Sequence, residues 1–172
     1  MNKNLIKKIV VCLLIVTGLV IVDQVPKILI AKYNVQNVKI LGSFLSISYV
    51  KNTGAAFSFL ADKSWAQTFF ITITFLALIA FFAVYFISKN DRFLFRFPLL
   101  LIIGGAIGNL IDRLSLRYVR DFISVKGFAT FNIADTELCV GAFLLVIYFF
   151  FIDKDAIFKF KKKDKDSGNK EV

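Results

Sequence analysis

Three aspartates and two asparagines recur in short polar motifs that border the apolar stretches of this chain. Asn109 and Asp112 lie three residues apart, Asn132 and Asp135 repeat that spacing, and Asp121 lies between the two motifs. Two carboxylates that are brought close together cannot both ionise cheaply, so they share a proton and titrate as a unit. Such a pair can activate water for attack on a carbonyl group. The spacing leaves open which two of the three aspartates form the pair.

Other polar residues accompany these aspartates at the predicted helix ends. Asp23 and Lys27, four residues apart, form either an ion pair or a helix cap, or take part directly in the chemistry. Asn52 in "KNTG" fits a turn as well as a site. Asp112 and Arg113 are most simply an internal salt bridge. All of these groups are predicted at one membrane face. An ionisable residue at that depth is costly, so its presence suggests a functional site.

The residue types that the chain lacks narrow the chemistry further. There is no histidine, and the two cysteines, Cys12 and Cys139, do not form a Cys-x-x-Cys motif. These absences exclude a nucleophile paired with histidine and a zinc site built from His and Cys. We expect the two cysteines in opposite halves of the membrane, so a disulfide between them is not predicted. Acid–base chemistry is therefore left to carboxylates, Lys or Tyr, with no metal and no cofactor.

The apolar stretches that carry these motifs are long enough to cross a membrane. Of the 172 residues, 58% are hydrophobic, and 21 are Phe, far more than a soluble domain needs. A spanning helix needs about 20 mostly apolar residues, and the uncharged run 66–87 meets that length outright. This run favours membrane spans over the buried helices of a soluble protein. We predict a mainly α integral membrane protein with one domain over 1–155 and four transmembrane helices, at about 5–24, 66–87, 96–115 and 135–153.

The distribution of positive charge predicts the orientation of these spans. One side carries 13 Lys and Arg residues, including a dense basic tail, and the other carries 9 over two longer loops. The denser side is cytoplasmic by the positive-inside rule, so both termini are predicted inside and the polar motifs outside. No small-x-small cleavage pattern follows the first span, so we predict that it is retained. The tail, 156–172, is predicted to be disordered and to bind anionic membrane lipids rather than nucleic acid.

A small sheet is predicted on the outer side, over about 35–60. Leu45, Ile47 and Tyr49 alternate with serines, which is the period of a half-buried strand. The "KNTG" segment then predicts a turn, and 55–60 a returning strand or an apolar edge. The second outer segment, roughly 112–132, is predicted to lie against this sheet. Glycines in "GGAIG" (Gly104, Gly105 and Gly108) are predicted to let helices pack closely.

Five motifs together, "DQVPK", "NTGAAFSFL", "GGAIGNLIDR", "VRDFI" and "FNIADTELCVGA", resemble those of the bacterial lipoprotein signal peptidases (signal peptidase II). They occur in order over most of residues 20–145, which makes the resemblance highly specific. It implies an aspartic endopeptidase of the inner membrane with four helices and a small periplasmic sheet, the β-cradle. Its substrates would be prolipoproteins carrying a diacylglyceryl-modified Cys, cleaved just before that Cys. We expect it to act as a monomer.

The resemblance also implies which residues act. Asp121 and Asp135, in the "VRDF" and "NIAD" motifs, match the catalytic aspartates of the family. Other motif positions that shape or support the site are matched by Asp23, Lys27, Asn52, Gly54, Asn109, Asp112, Arg113, Asn132 and Ala134. The chain departs from the pattern at Pro26, where Ser or Thr is usual, and at Glu137, where a small or apolar residue is common. Only 13 residues separate the two aspartates.

Three other classes of protein compete with this interpretation. A small transporter or channel would spread its acids through the membrane depth, whereas here they gather at one face. A Ser/Lys peptidase would use a residue such as Ser58 or Ser115, which substitution by alanine would reveal. A membrane scaffold without activity gives no reason for acids from several segments to meet.

Overall fold

Four long apolar helices and one small antiparallel sheet make up the fold. The computed structural model describes residues 3–54 and 65–153. Each of the four helices is long and apolar enough to cross a membrane. The predicted fold class is therefore confirmed. The helices are α1 (Lys3–Lys32), α2 (Ala66–Ile87), α3 (Phe93–Leu116) and α4 (Ile133–Ile147), the last extended by a π-helical turn (Tyr148–Ile152).

Helix α3 lies at the centre of the bundle and contacts the other three helices. In its most apolar 18-residue stretch 78% of the residues are buried, against 11 to 17% in the other helices. The outer helices instead leave many large apolar side chains exposed, such as Leu14 and Ile79. Exposed apolar surface of this extent is compatible with lipid and not with water. The predicted membrane embedding therefore agrees with the way the helices pack.

Close approach between α3 and its neighbours depends on three glycines of α3. A Cβ added at Gly105 would lie 2.4 Å from the carbonyl oxygen of Ala134, and one at Gly108 would lie 2.6 Å from Asp23 Oδ2. At Gly104 it would lie 2.8 Å from Leu19 Cβ. Side chains at these positions would push α1 and α4 away from α3. The packing role predicted for these glycines is confirmed.

The sheet has four antiparallel strands in the order β1 (Val38–Leu41), β2 (Leu45–Asn52), β3 (Val119–Val125) and β4 (Thr130–Phe131). Strand β3 follows α3 directly. Arg117 ends that helix in the left-handed region, at φ 65°, and so turns the chain into the sheet. Strand β4 leads into Asn132, the N-cap of α4. The sheet is thereby joined to two helix ends of the bundle.

Three predictions about the outer segments need correction. The second outer segment does not lie against the sheet but supplies two of its strands, with β3 in the interior. The "KNTG" turn is limited to a bend at Thr53 and Gly54, since Asn52 still pairs with Val119. Residues 45–49 form the predicted strand, yet all are half-buried, because a register shift after Ile47 interrupts the alternation.

The first helix runs further than its predicted span, from Lys3 to Lys32, and passes through Pro26 without ending. At 1.5 Å per residue its 30 residues measure about 45 Å, which exceeds the thickness of the hydrocarbon core. The turns beyond residue 24 carry Lys27 to the level of Asn109 and Asp112, which it contacts. The predicted edge segment 55–60, Ser58 and the predicted tail 156–172 lie outside the described residues.

Candidate active site

Asp121 and Asp135, the predicted catalytic pair, line one cavity at the junction of the sheet and the bundle. Asp121 comes from β3 and is 2% exposed, whereas Asp135 comes from the first turn of α4 and is half-buried. The fold thus brings together two carboxylates that lie on different elements. The pair that the resemblance implied is the pair that the geometry assembles at this cavity.

Asparagine amides hold both carboxylates in place. Asn52 Nδ2 and Asn132 Nδ2 donate to the two oxygens of Asp121 at 2.8 and 2.7 Å. Asn109 Nδ2 donates to Asp135 at 2.8 Å, and the backbone N–H of Asn132 donates to the other Asp135 oxygen at 3.2 Å. Asn132 therefore contacts both aspartates. It fixes the position of one carboxylate relative to the other.

The local structure around Asn132 explains why its side chain is so well oriented. Asn132 is the N-cap of α4, and its Oδ1 accepts from the backbone N–H of Asp135 at 2.9 Å. Because Asp135 accepts from the Asn132 backbone in return, the two form a capping box. The Asn-x-x-Asp spacing in the sequence is that of a capping box. The same two residues consequently cap the helix and build the site.

Asn52 is oriented by the bend that follows it. The backbone N–H of Gly54 donates to Asn52 Oδ1 at 2.9 Å, so the amide nitrogen is left to face Asp121. In the register of the sheet Asn52 pairs with Val119, two residues before Asp121 on the same face of β3. The turn and the site are therefore not alternatives for Asn52. The turn positions the donor.

The electrostatics of the pair favour a retained proton. No Lys or Arg nitrogen of the described chain lies within 4 Å of either carboxylate, and neutral amides are their main partners. Burial raises the pKa of Asp121 to about 6, and the nearby charge of Asp135 acts in the same direction. The hydrogen bonds that the side-chain amides of Asn52 and Asn132 donate lower the pKa of Asp121, but they offset the effect of burial only in part. Asp121 therefore holds a proton up to about pH 6, well above the range of an ordinary aspartate.

A second cluster of buried charges supports the site from the helix side. Lys27 Nζ lies 2.8 Å from Asp23 and 3.7 Å from Asp112, and it donates to Asn109 Oδ1 at 3.0 Å. The side chains of Lys27, Asp23 and Asp112 are fully buried. Asp23 also accepts from the backbone N–H of Ala134 at 2.9 Å. This places the predicted Asp23, Lys27, Asp112 and Ala134 behind the pair rather than in the cavity.

The predicted salt bridge between Asp112 and Arg113 is wrong. Asp112 instead binds Arg120, whose Nη2 lies 2.5 Å away and whose backbone N–H donates at 2.9 Å. Consecutive helix residues point about 100° apart, so neighbours in sequence do not face each other. Arg113 turns the other way, over the Phe70 ring at 5.2 Å, and lines the cavity with Asp135. Arg113 therefore belongs with the cavity-lining residues around Asp121 and Asp135 rather than with the buried charges behind them.

Two supporting residues, Gln24 and Arg120, were missed among the predicted site residues. Gln24 Nε2 donates to Asp23, to the carbonyl of Gly108 and to Asp112, and its Oε1 accepts from Arg120 at 2.8 Å. Both residues lie in motifs that the sequence displays, next to Asp23 and Asp121. A polar residue beside each aspartate in an apolar setting was the available signal.

The cavity that these groups border is large and mainly apolar. Its volume is about 670 Å³, and both the helices and the β3–β4 hairpin line it. Apolar side chains on the helix side include Ile73, Phe81, Ile102 and Leu138. Among the described residues no group of three His, Cys, Asp or Glu side chains forms a metal site. The site therefore combines two carboxylates, Asp121 and Asp135, with room for an apolar ligand.

This fold and this site are typical of a membrane-embedded aspartic peptidase. The sequence model of peptidase family A8, signal peptidase (SPase) II, matches residues 15–151, and the chain belongs to that family. It is accordingly a multi-pass membrane aspartic peptidase. The resemblance inferred from the five motifs is confirmed.

Similar proteins agree with this membership. The lipoprotein signal peptidase of Geobacter sulfurreducens is 39% identical over 139 residues, which cover 77% of this chain and 87% of that protein. That of Caldanaerobacter subterraneus is 42% identical over 137 residues, covering 77% and 91%. A solved structure described as a bacterial membrane enzyme, determined in meso at 2.3 Å resolution, aligns with a TM-score of 0.74 at 32% identity. It covers 94% of this chain and 93% of that chain.

Proposed function

We propose that this protein removes the signal peptides of prolipoproteins by cleaving just before a diacylglyceryl-modified Cys, with Asp121 and Asp135 as the catalytic pair. The observation that carries this proposal is the location of the two carboxylates. They border an apolar cavity of about 670 Å³ that is lined by α2, α3, α4 and the β3–β4 hairpin. Such a cavity suits a substrate that has acyl chains beside a peptide bond. The relatives of this chain that are named lipoprotein signal peptidase support prolipoproteins as the substrate class.

The two aspartates take different roles in the proposed mechanism. Asp135 lies in the first turn of α4, where the helix dipole stabilises a negative charge, so it acts as the general base. It takes a proton from water as the water oxygen attacks the scissile carbonyl carbon. Asp121 holds the shared proton and donates it to the carbonyl oxygen. When the tetrahedral intermediate collapses and its C–N bond breaks, the proton on Asp135 passes to the leaving amine, and one hydroxyl proton of the intermediate returns to Asp121, which restores the starting state of the pair.

A transporter or channel is not favoured by the distribution of charge. Asp23, Asp112, Asp121 and Asp135 all belong to one connected set of hydrogen bonds at one end of the bundle. A permeation pathway would instead place polar groups along the depth of the helices. The carboxylates are therefore grouped for chemistry at one place.

We also propose that both termini are cytoplasmic, that the protein acts as a monomer in the inner membrane, and that the site faces the periplasm. The excess of Lys and Arg on the side of the termini supports this orientation. A reporter that is active only in the cytoplasm should be active when fused after Val172 and inactive when inserted after Gly42, in the turn between β1 and β2. The reverse pattern would contradict the topology.

A direct assay tests the proposed reaction. Purified protein in detergent is incubated with a prolipoprotein peptide that carries the diacylglyceryl group on its Cys, and the products are identified by mass. We expect one cut, immediately before the modified Cys. The same peptide without the lipid is the matched control and should be cut far more slowly, since it lacks the group that the apolar cavity binds. Equal cleavage of both peptides, or a cut elsewhere, would contradict the proposal.

A further inference from the structure

Strand β4 is the edge strand of the sheet that borders the cavity. It pairs with β3 on one side only, and Thr130 and Phe131 both line the cavity with Asp121 and Asp135. An unpaired strand edge presents a row of backbone donors and acceptors. The question is which backbone groups of β4 point towards the free edge.

The register of the hairpin answers this question. The backbone N–H of Val125 donates to the carbonyl of Ala129 at 3.0 Å, so these two residues face each other through hydrogen bonds. In an antiparallel pair such residues alternate with pairs that make no backbone bond to each other. Ser124 and Thr130 are the next pair, and their hydroxyl groups contact each other at 2.9 Å. The N–H and C=O of Thr130 therefore point away from β3.

Thr130 is also close to the reacting groups. The chain continues extended from Thr130 to Asn132, which contacts both aspartates. Two residues of extended chain measure about 6.6 Å, so the free backbone groups lie roughly two residues from the carboxylate pair. No described residue bonds to the backbone of Thr130 on this side.

We propose that the substrate peptide adds to this edge as a short extended strand, and that one substrate residue next to the scissile bond exchanges two backbone hydrogen bonds with Thr130. This inference rests on the proposed function and adds the subsite that orients the peptide. A peptidase site must hold the scissile bond in a fixed orientation, and strand addition does so through the main chain, whatever the side chains are. The apolar cavity then holds the acyl chains, and β4 holds the peptide.

The first experiment removes the outward donor and keeps the strand. Proline is tolerated on an edge strand where its missing N–H faces away from the sheet. Thr130→Pro should raise KM, or lower kcat/KM, for the diacylated prolipoprotein peptide by roughly three- to tenfold, the size of one ordinary hydrogen bond. A melting temperature close to that of the wild type shows that the hairpin is intact.

The opposite edge of the same sheet supplies a matched control. Lys126 N–H donates to the carbonyl of Phe44, so Ser46 and Ser124, two residues further along, are also a hydrogen-bonded pair. The backbone N–H and C=O of Ser46 therefore point towards β3. Ser46 also pairs with Lys39 of β1, so the N–H and C=O of Lys39 point away from β2, towards the free edge of the sheet. Lys39→Pro removes an equivalent outward N–H far from the cavity. It should leave kcat/KM unchanged.

A second experiment uses the substrate, so it does not depend on the folding of a variant. In a series of diacylated peptides, one peptide bond at a time near the cleavage site is replaced by an ester, which removes one N–H donor. We expect a single sensitive position, within about two residues of the cut, where the ester lowers kcat/KM three- to tenfold because the lost N–H was the donor to the Thr130 carbonyl. Thr130→Pro keeps that carbonyl and loses only the Thr130 N–H, so the ester effect should persist in this variant and the two losses should multiply. The absence of an ester effect near the cut, or equal effects at every position, would overturn the proposal. Failure of the wild type to cleave the parent peptide would instead contradict the proposed function.

Discussion

The buried carboxylates at this end of the bundle are held in two different ways. Asp23 and Asp112 are paired with cations, Lys27 and Arg120, at distances of 2.8 and 2.5 Å. Asp121 and Asp135 are held mainly by the side-chain amides and the backbone of asparagines. Asn109 joins the two groups, because it accepts from Lys27 and donates to Asp135.

This difference has a physical meaning. Each carboxylate of the first group has a cation within 4 Å that compensates its negative charge, so the first group serves as support. A neutral amide orients a carboxylate without cancelling its charge, and burial then favours a retained proton. Asp121, whose pKa is raised to about 6, shows the result. The structure thus separates carboxylates that are paired with cations from those proposed to pass protons.

The largest expected effect comes from neutralising either amide-held carboxylate. Asp121→Asn and Asp135→Asn keep the size of the side chain but remove the shared proton, so kcat should fall about 1,000-fold or more. The variants should melt within a few degrees of the wild type. The measurement is kcat on the diacylated prolipoprotein peptide beside a thermal melt in detergent.

The double variant tests whether the two aspartates act as one unit. It should be scarcely less active than either single variant, because groups of one catalytic unit fail together. If one single variant keeps a tenth or more of the wild-type kcat, the pair has been assigned wrongly.

Neutralising a cation-paired carboxylate should instead act on stability. Asp112→Asn leaves Arg120 and Lys27 with less compensation in a buried place, and breaking such a pair costs about 3–5 kcal/mol. We expect a large drop in the melting temperature in detergent, with lower yield of folded protein. Asp91→Asn is the control: Asp91 pairs with Arg96 and Lys8 but is exposed, so its loss should change the melting temperature little. A stable but inactive Asp112→Asn variant would contradict the proposal that cation-paired carboxylates support the fold while amide-held carboxylates carry out the reaction.

The pH dependence of the reaction gives a smaller and graded effect. Because the pKa of Asp121 is raised to about 6, the shared proton is present at and below pH 6 and is lost as the pH rises. The value of kcat/KM should therefore fall about tenfold per unit at pH values well above 6. The folded state also holds this proton where the unfolded chain has released it, so stability should fall between about pH 4 and pH 6. A profile that rises through pH 6 would contradict the assignment of the proton.

The smallest effect is expected at Glu137, which belongs to neither group. It is buried, and its Oε2 has no hydrogen-bond partner among the described residues. Glu137→Gln replaces a buried carboxyl group with a neutral amide of similar size, so it should raise the free energy of unfolding by up to about 1 kcal/mol. Turnover should stay within about twofold of the wild type. A stable Glu137→Gln variant without activity would place Glu137 in the catalytic machinery.

Much of the fold follows from local features of the sequence. The 22 uncharged residues of α2 match the predicted span residue for residue, and the alternation at Leu45 to Tyr49 marks a true strand. Gly104, Gly105 and Gly108 predict the places where α1 and α4 pack closely against α3. These features are readable because hydrophobic length, strand period and side-chain size act on neighbouring residues of one element.

The partners of the charged residues were decided by the tertiary structure. Arg113 is adjacent to Asp112 in sequence, yet the helix turns it towards the cavity, and Arg120 reaches Asp112 after the chain reverses into β3. Gln24 enters the network only because α1 packs against α3 and the sheet. The motifs contain the right residues, but an ion pair depends on the direction of each side chain and on elements far apart in sequence. That information exists only when the helices and the sheet are packed together, since packing alone determines which buried charge faces which partner.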